Sequence, residues 1–239
     1  MSRIYIIRKL VNIFDHFQQK KIFNFLRNKI NSRSVLFDVG AHHGETIENF
    51  KKNFDFKEIH SFEASRKNFS ILKKNIKDLV NSKIIINDFG LSDQNKEVIM
   101  NQLAESSSST LSRINKESKY YKKKIRILGV SGNNNYCENF KVKLITLDNY
   151  LKKIDIDKID LLKIDTEGHE YYVLKGSQMN LFKVRYVYFE HHYDDMLEKK
   201  YKFSEIHNFL TNNNFKKVFK SKMFFRKTFE YIYENSKFY

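Results

Sequence analysis

The chain has 239 residues, enough for one α/β domain with a full core and a short appendage. Its single cysteine excludes an internal disulfide and favours a reducing compartment. The net charge of +16 would suit an anionic partner, but a lysine-rich, proline-free composition explains that charge equally well.

Residues 1–33 carry apolar side chains at helical spacing, which predicts amphipathic helices ahead of the main domain. We favour a role in packing against that domain or against a second subunit, so a homodimer stays open. Basic residues flank the apolar face, so attachment to an anionic membrane surface also stays open. No stretch approaches the roughly 18 apolar residues of a membrane span, and no signal peptide is recognisable. We expect a cytoplasmic protein, either free or peripheral at a membrane.

From residue 34 onward, apolar strands alternate with amphipathic helices. The predicted strands are 34–39, 57–62, 83–88, 159–164 and 185–190, and the predicted helices are 45–52, 65–80 and 204–213. This alternation predicts an α/β fold with right-handed crossovers and a doubly wound, Rossmann-like, mostly parallel sheet. Residues 215–233 alternate aromatic and polar side chains, which predicts a C-terminal antiparallel hairpin. The domain is therefore expected to cover residues 34–239.

Residues 104–140 interrupt this pattern with a serine run, an aromatic and basic stretch, and a turn-forming stretch. Composition favours a flexible surface loop. Long insertions in compact domains, however, often cover an active site. Both interpretations stay open.

Two motifs carry most of the chemical information. Residues 35–50 (VLFDVGAHHGETIENF) predict a strand, a glycine loop and a helix N-terminus, the geometry by which α/β folds hold nucleotide-like ligands. Asp38 precedes Gly40 and Gly44, so this is not the G-x-G-x-x-G fingerprint of dehydrogenases. Residues 161–176 (LLKIDTEGHEYYVLKG) predict a second strand that ends in Asp165, followed by a carboxylate-rich turn. Both motifs place carboxylates at strand ends, where they point into a cleft.

The D-x-G-A-x-x-G order resembles motif I of the class I S-adenosylmethionine-dependent methyltransferases. Together with HSFEAS, FGLSD, ITLDNY and KIDTEG further along, it resembles the FkbM family over about residues 34–190. The resemblance implies a seven-stranded sheet, S-adenosylmethionine as cofactor, and methylation of a hydroxyl on a saccharide, glycolipid or natural product. It also places the segment that ends in Thr110 and Leu111 near the active site.

S-adenosylmethionine presents an amino acid moiety, a ribose and an adenine, and each requires a different protein group. Glycines let the backbone pass close to the ligand, Asp38 suits the ammonium group, and Glu63 can accept bonds from both ribose hydroxyls. Asp88 and Phe89 suit the adenine, although Asn87 could take the place of Asp88. The predicted cofactor contacts are Asp38, Gly40, Ala41, His42, Gly44, Glu63, Asp88, Phe89 and Asp165.

A hydroxyl acceptor must lose its proton near the transition state, so a base must lie within hydrogen-bond reach. The predicted catalytic residues are Asp165, Glu167, Glu190 and His192, with His169, Glu170 and His191 as further candidates. Strand alternation places Glu190 and His192 on one face and His191 on the other. If they are not catalytic, His169 and Glu170 are expected to face solvent on the first turn of a helix. A divalent metal held by these carboxylates is an alternative, but no spacing signature supports it, and we assign no metal site.

Two rival functions remain. The basic charge would suit a nucleic-acid methyltransferase, but a chain without proline cannot form the Asn-Pro-Pro-Tyr loop of many amino-methylating enzymes, and no RNA-binding motif is visible. A cofactor-binding scaffold without catalysis is disfavoured by the carboxylates at 165, 167 and 190. The resemblance to the FkbM family therefore implies a glycan or glycolipid acceptor rather than nucleic acid.

Overall fold

The fold is described from a computed structural model that covers residues 18–77, 79, 83–102, 110–128, 138–223 and 226–238. Three sequence features lie outside these residues: the apolar segment before residue 18, the serine run 106–109 and the turn-forming stretch 131–135. Among the described helices, none combines the length and the apolar composition needed to cross a membrane.

Seven strands form the central sheet, and five more lie beside it. In chain order the strands are β1 (Val35–Val39), β2 (Glu58–Phe62), β3 (Lys83–Asn87), β4 (Gly90–Leu91), β5 (Lys96–Gln102), β6 (Arg113–Ile114), β7 (Glu138–Ile145), β8 (Ile159–Ile164), β9 (Val184–His192), β10 (Leu197–Glu198), β11 (Phe215–Lys222) and β12 (Thr228–Asn235). The central order is β11-β12-β9-β8-β1-β2-β3. β12 pairs antiparallel with both β9 and β11, whereas β9, β8, β1, β2 and β3 run parallel. The predicted mostly parallel, seven-stranded sheet and its C-terminal hairpin are confirmed.

Helices cover both faces of this sheet. They are α1 (residues 18–26), α2 (Glu45–Asn53), α3 (Arg66–Asn75), α4 (Lys119–Leu128), α5 (Leu147–Leu151), α6 (Glu170–Lys175) and α7 (Phe203–Asn212). Apolar side chains of α1, α2 and α3 fill one core cluster with alternate residues of β1, β8 and β9. Those of α5, α6 and α7 fill the other. The sheet is therefore doubly wound, as predicted.

The first described helix belongs to this core. Ile22 and Leu26 are fully buried, and the ring of Phe23 lies 5.3 Å from that of Phe50 in an edge-to-face contact. This contact supports the packing role that we favoured for the N-terminal extension. The sequence pattern changes at residue 33, but the hydrophobic core includes residues on both sides of it.

The inserted region contains more regular structure than we expected. β5 and β7 pair antiparallel and, with β4, form a separate three-stranded sheet. Between them, β6 pairs with β10, and α4 follows at residues 119–128. The flexible-loop interpretation is therefore wrong for residues 110–128. β6 and β10 have only two residues each, too short to show a periodic signal.

The central strand β8 should contribute most to stability because both of its faces are covered. Leu161 lies in β8 with none of its side chain exposed. We expect Leu161→Ala to lower the free energy of unfolding by about 2–5 kcal/mol, because it removes buried methyl groups and leaves a cavity. Denaturant unfolding measures this loss. As a matched control, Ile99→Ala removes a side chain that is 62% exposed and should change stability by about 0.5 kcal/mol or less. Equal losses in the two variants would contradict this description of the core.

Candidate active site

The glycine loop between β1 and α2 is held close to neighbouring strands. A Cβ placed on Gly40 would lie 1.9 Å from the carbonyl oxygen of Asp165, and the φ of Gly40 is +87°. The backbone N–H groups of Gly40 and Ala41 both donate to the carbonyl of Phe62, at 2.9 and 3.0 Å. Because no larger residue fits at position 40, the loop presents bare backbone at the carboxyl end of the sheet.

Glu63, at the end of β2, fixes the next part of this loop. Its carboxylate is buried and accepts hydrogen bonds from the backbone N–H groups of His42, at 2.9 Å, and Ser65, at 2.8 Å. Burial raises the pKa of Glu63 to about 7, against the lowering effect of these bonds. A carboxylate has further lone pairs beyond the two used here. Glu63 is thus oriented by the backbone and can still accept bonds from a ligand.

A buried lysine joins two of the predicted site residues. The ammonium of Lys163 lies 3.4 Å from Asp38 Oδ1 and 3.4 Å from Asp165 Oδ2. Burial alone would lower the pKa of Lys163, but the two carboxylates raise it above its usual value, so the ammonium stays charged. Asp38 Oδ2 is buried and has no hydrogen-bond partner among the described residues. Burial raises the pKa of Asp38 above its usual value, and the Lys163 ammonium opposes this shift. A second cationic group beside Asp38 would favour its ionised form further.

Lys163 was not a candidate in the sequence analysis. The signal was present in KIDTEG, because residues 163 and 165 share one face of a strand by alternation. Neither spacing nor residue type indicated that Asp38, 125 residues away, would pair with it.

The predicted adenine contacts follow β3. Asp88 is exposed, and Phe89 packs against Phe62 with ring centroids 5.9 Å apart. The side-chain amide of Asn87 donates a hydrogen bond to the carbonyl of Ser61 at 3.0 Å, so this amide is already engaged by the neighbouring strand. Of the two alternatives for an adenine contact, Asp88 is therefore the more accessible.

The two adjacent histidines of the glycine loop stack on each other, with ring centroids 3.7 Å apart. His42 has a φ of +48°, and its Nδ1 lies 3.1 Å from a carboxylate oxygen of Glu45. Burial alone would lower the pKa of His42, but Glu45 raises it. The side chains of His42, His43 and Glu45 place three metal-ligating atoms within 4.8 Å of one another.

Three of the predicted catalytic residues meet at the ends of β8 and β9. His192 Nε2 lies 3.3 Å from Glu190 Oε1 and 3.4 Å from Glu167 Oε2. Its other nitrogen, Nδ1, lies 3.5 Å from Oδ2 of Asp194, a residue that the sequence analysis did not single out. We call His192, Glu167, Glu190 and Asp194 the acidic cluster. The structure thus places one imidazole among three carboxylates.

The acidic cluster shifts the pKa values of its members in different ways. Burial alone would lower the pKa of His192, but the surrounding carboxylates raise it to about 10. Burial and the nearby charge of Asp165 raise the pKa of Glu190 to about 8. At neutral pH His192 is therefore an imidazolium, and Glu190 is poised to gain or lose a proton.

The remaining sequence candidates lie elsewhere. His191 faces away from the acidic cluster and packs against the ring of Tyr193, 4.8 Å away between centroids, as alternation predicted. The expectation that His169 and Glu170 face solvent was wrong. His169 Nε2 lies 2.9 Å from Ser92 Oγ, and Glu170 accepts bonds from the N–H of Gly168 and the hydroxyl of Tyr201. Both side chains are committed to holding the turn after β8.

The insertion contacts the turn beside the acidic cluster. Thr110 Oγ1 donates to the carbonyl of Glu167 at 2.6 Å, and Ser112 Oγ donates to that of Gly168 at 3.1 Å. Tyr120, on α4, is half-buried, and burial together with the negative charge of Asp194 raises its pKa to about 12. Residues 110–120 therefore lie against one side of the candidate site.

A family comparison decides which fold family this geometry belongs to. The model of the methyltransferase FkbM domain matches residues 38–217, a range that includes the glycine loop and the acidic cluster. The chain belongs to the FkbM methyltransferase family. S-adenosylmethionine is accordingly the cofactor of this methyltransferase. No curated protein matches the chain in sequence.

Solved structures share the fold of this FkbM methyltransferase. Methyltransferase FkbM from Methylobacillus flagellatus KT has a TM-score of 0.55 at 15% identity, over 86% of this chain and 44% of that one, so this chain spans less than half of that protein. Magnesium protoporphyrin IX methyltransferase from Synechocystis PCC 6803 has a TM-score of 0.55 at 10% identity, over 98% of this chain and 88% of that one. An rRNA methylase from Streptococcus thermophilus has a TM-score of 0.51 at 8% identity, over 90% of this chain and 94% of that one. At such identities the likeness shows the fold alone.

The residues at the glycine loop fit the cofactor. The buried oxygen of Asp38, which has no hydrogen-bond partner among the described residues, suits an ammonium group. Glu63 offers acceptors to ribose hydroxyls, and Gly40 lets the loop pass against the backbone of Asp165. The buried oxygen of Asp38 would be costly in a protein that bound no ligand here, because a buried acceptor without a partner is destabilising.

Glu63 should carry much of the cofactor affinity of this methyltransferase. We expect Glu63→Ala to weaken S-adenosylmethionine binding by about 2–4 kcal/mol, because charge-assisted hydrogen bonds to the ribose are lost. Titration calorimetry measures this change. Glu97→Ala, which removes an exposed carboxylate on β5, should leave the affinity unchanged. If a folded Glu63→Ala variant bound S-adenosylmethionine as tightly as the wild type, the end of β2 would not be part of the cofactor site.

The Lys163 ammonium should stabilise the fold only while its carboxylates are present. We expect Lys163→Met to lower the free energy of unfolding by about 3–5 kcal/mol, because Asp38 is left as a buried, uncompensated charge. Adding Asp38→Asn to that variant should restore part of the loss, which denaturant unfolding would show. A further loss in the double variant would mean that the pair is not coupled.

Proposed function

We propose that this methyltransferase transfers the methyl group to a hydroxyl of a saccharide or glycolipid acceptor. When bound, S-adenosylmethionine supplies an electrophilic methyl group on a sulfonium. The protein must then accept the proton that the hydroxyl loses as its oxygen forms the new bond to carbon. The observation that carries the proposal is the acidic cluster, which offers a base beside the cofactor loop.

Glu190 is the group that suits this role. A general base works best when its pKa lies near the working pH, and burial together with Asp165 brings the pKa of Glu190 to about 8. His192, with a pKa of about 10, already holds a proton at neutral pH and cannot accept another. His192 instead stabilises the ionised form of Glu190 from 3.3 Å away. Between Glu190 and His192, two of the four catalytic residues predicted from sequence, these pKa values therefore favour Glu190 as the base.

The charge around the cluster favours a neutral acceptor rich in hydroxyl groups. Carboxylates accept hydrogen bonds from hydroxyls, and they repel phosphates. Glu167, Glu190 and Asp194 surround His192, and Asp165 adds a further negative charge nearby. A nucleic acid backbone would meet this repulsion at the point of transfer, whereas a sugar would not. The half-buried Tyr120 offers an aromatic wall of the kind that packs against a sugar ring.

An acceptor panel tests the proposal directly. The full chain is incubated with S-adenosylmethionine labelled in its methyl group and, in separate reactions, with polysaccharides, glycolipids and RNA. We expect label in a glycan or glycolipid and recovery of an O-methyl sugar after hydrolysis. Label in RNA alone would contradict the proposal and favour the nucleic-acid alternative.

Replacing Glu190 should slow the chemical step selectively. We expect Glu190→Gln to lower turnover by about 10² to 10⁴ while S-adenosylmethionine affinity is kept, because only proton removal is lost. Wild-type turnover should rise as the pH passes through about 8, where Glu190 loses its proton, and Glu190→Gln should lack this rise. Rate measurements across pH with the acceptor found in the panel test both points. Glu97→Gln serves as the matched control, and an identical pH profile in Glu190→Gln would place the base elsewhere.

A further inference from the structure

The edge of the central sheet opposite the acidic cluster is basic. β1, β2, β3, β8, β9 and β11 begin at this edge, and β12 ends there. Each of these seven strands has a lysine or arginine within two residues of its end here: Arg33, Lys57, Lys83, Lys158, Lys183, Arg185, Lys216, Lys217 and Lys237. The general lysine content of the chain does not by itself explain why every strand carries a cation at the same edge.

Four of these cations line one groove. Arg33, Lys57, Lys158 and Arg185 surround an open space of about 800 Å³, and the ring of Phe238 forms part of its wall. The ammonium of Lys158 lies 6.0 Å from the centre of that ring. The groove therefore combines positive charge with one aromatic surface.

The acidic residues of the groove are already engaged. Asp160 Oδ2 accepts a hydrogen bond from the N–H of Val35 at 2.9 Å, and Glu234 Oε1 accepts one from the hydroxyl of Tyr186 at 2.6 Å. None of the four cations forms an ion pair with any residue that the structure describes. Four cations against two carboxylates leave an excess of positive charge in the groove.

Arg185 is held in place by two contacts. It is half-buried, its Nη1 donates to the carbonyl of Lys29 at 3.2 Å, and its guanidinium lies 4.9 Å from the ring centroid of Tyr186. A guanidinium has five N–H donors in a planar fork that matches phosphate oxygens. Because the side chain is already held, little conformational freedom would be lost on binding an anion.

We propose that this groove is a second binding site, which takes a phosphate or diphosphate group. The space exceeds that of a phosphate alone, so the organic part of a phosphate ester would pack against Phe238. The strands β1, β8 and β9, of five, six and nine residues, separate the groove from the acidic cluster, a distance of roughly 17–30 Å at about 3.3 Å per residue. The site therefore anchors or regulates the enzyme and does not hold the reacting hydroxyl. A free phosphorylated molecule and a lipid headgroup share the required chemistry.

Calorimetry with inorganic pyrophosphate tests the groove in the full chain. The variant Arg33→Gln, Lys57→Gln, Lys158→Gln removes three exposed cations of the groove. We expect its pyrophosphate affinity to fall by about tenfold or more. The matched control, Lys73→Gln, Lys74→Gln, Lys141→Gln, removes the same charge from exposed positions elsewhere and should keep its affinity within about twofold of wild type. Circular dichroism establishes that both variants are folded.

Vesicles distinguish the two sources of phosphate. Sedimentation with phosphatidylcholine vesicles, with and without phosphatidylglycerol, is compared for wild type and both triple variants. Binding that requires phosphatidylglycerol and is lost only in the groove variant supports a lipid headgroup. Pyrophosphate binding without vesicle binding supports a free phosphorylated ligand. Failure of the wild type to bind pyrophosphate at low salt, or equal losses in the two triple variants, would overturn the proposal.

Discussion

Three charged groups meet where the two central strands of the sheet end, and the rest of the site is arranged around them. β1 supplies Asp38 and β8 supplies Lys163 and Asp165, with the ammonium 3.4 Å from each carboxylate. Asp38 and Lys163 are buried, whereas the side chain of Asp165 is 37% exposed. Neither buried group could lie there alone, because an uncompensated charge in the core costs several kcal/mol. In the parallel pairing of β1 with β8, Asp38 lies beside Lys163, and Gly40 lets the loop pass directly over the backbone of Asp165.

The same arrangement separates charge along the molecule. Parallel strands deliver their last side chains to one edge, and in this chain those side chains are mostly carboxylates, from Asp38 on β1 to Glu190 on β9. They stay buried because Lys163 and the imidazolium of His192 offset part of their charge. The opposite edge carries a lysine or an arginine near the end of every strand of the central sheet, so the two edges differ in charge. A phosphorylated ligand and a neutral sugar would thus be directed to different ends of the sheet.

The sequence was informative wherever a local pattern determined the structure. Apolar runs that end in glycine or a carboxylate marked the parallel strands, and alternation correctly put Glu190 and His192 together and His191 on the opposite face. Contacts between distant segments left no such pattern. β5 and β7 pair across the insertion, and Tyr120 comes close to Asp194 only because the chain folds back. Propensity at those positions carries no information about a partner so far away in sequence.

The insertion and the acidic cluster are connected through Glu167. Its backbone adopts a φ of +50°, its carbonyl accepts the hydroxyl of Thr110, and its side chain reaches to 3.4 Å from His192. A non-glycine residue in the left-handed region is strained, and the surrounding contacts must hold it there. The bond from Thr110 is one such contact, so the segment that walls the acceptor site also sets the position of a carboxylate beside His192. Any acceptor that displaced Thr110 would therefore alter the charge around His192, and through it the readiness of Glu190 to accept a proton.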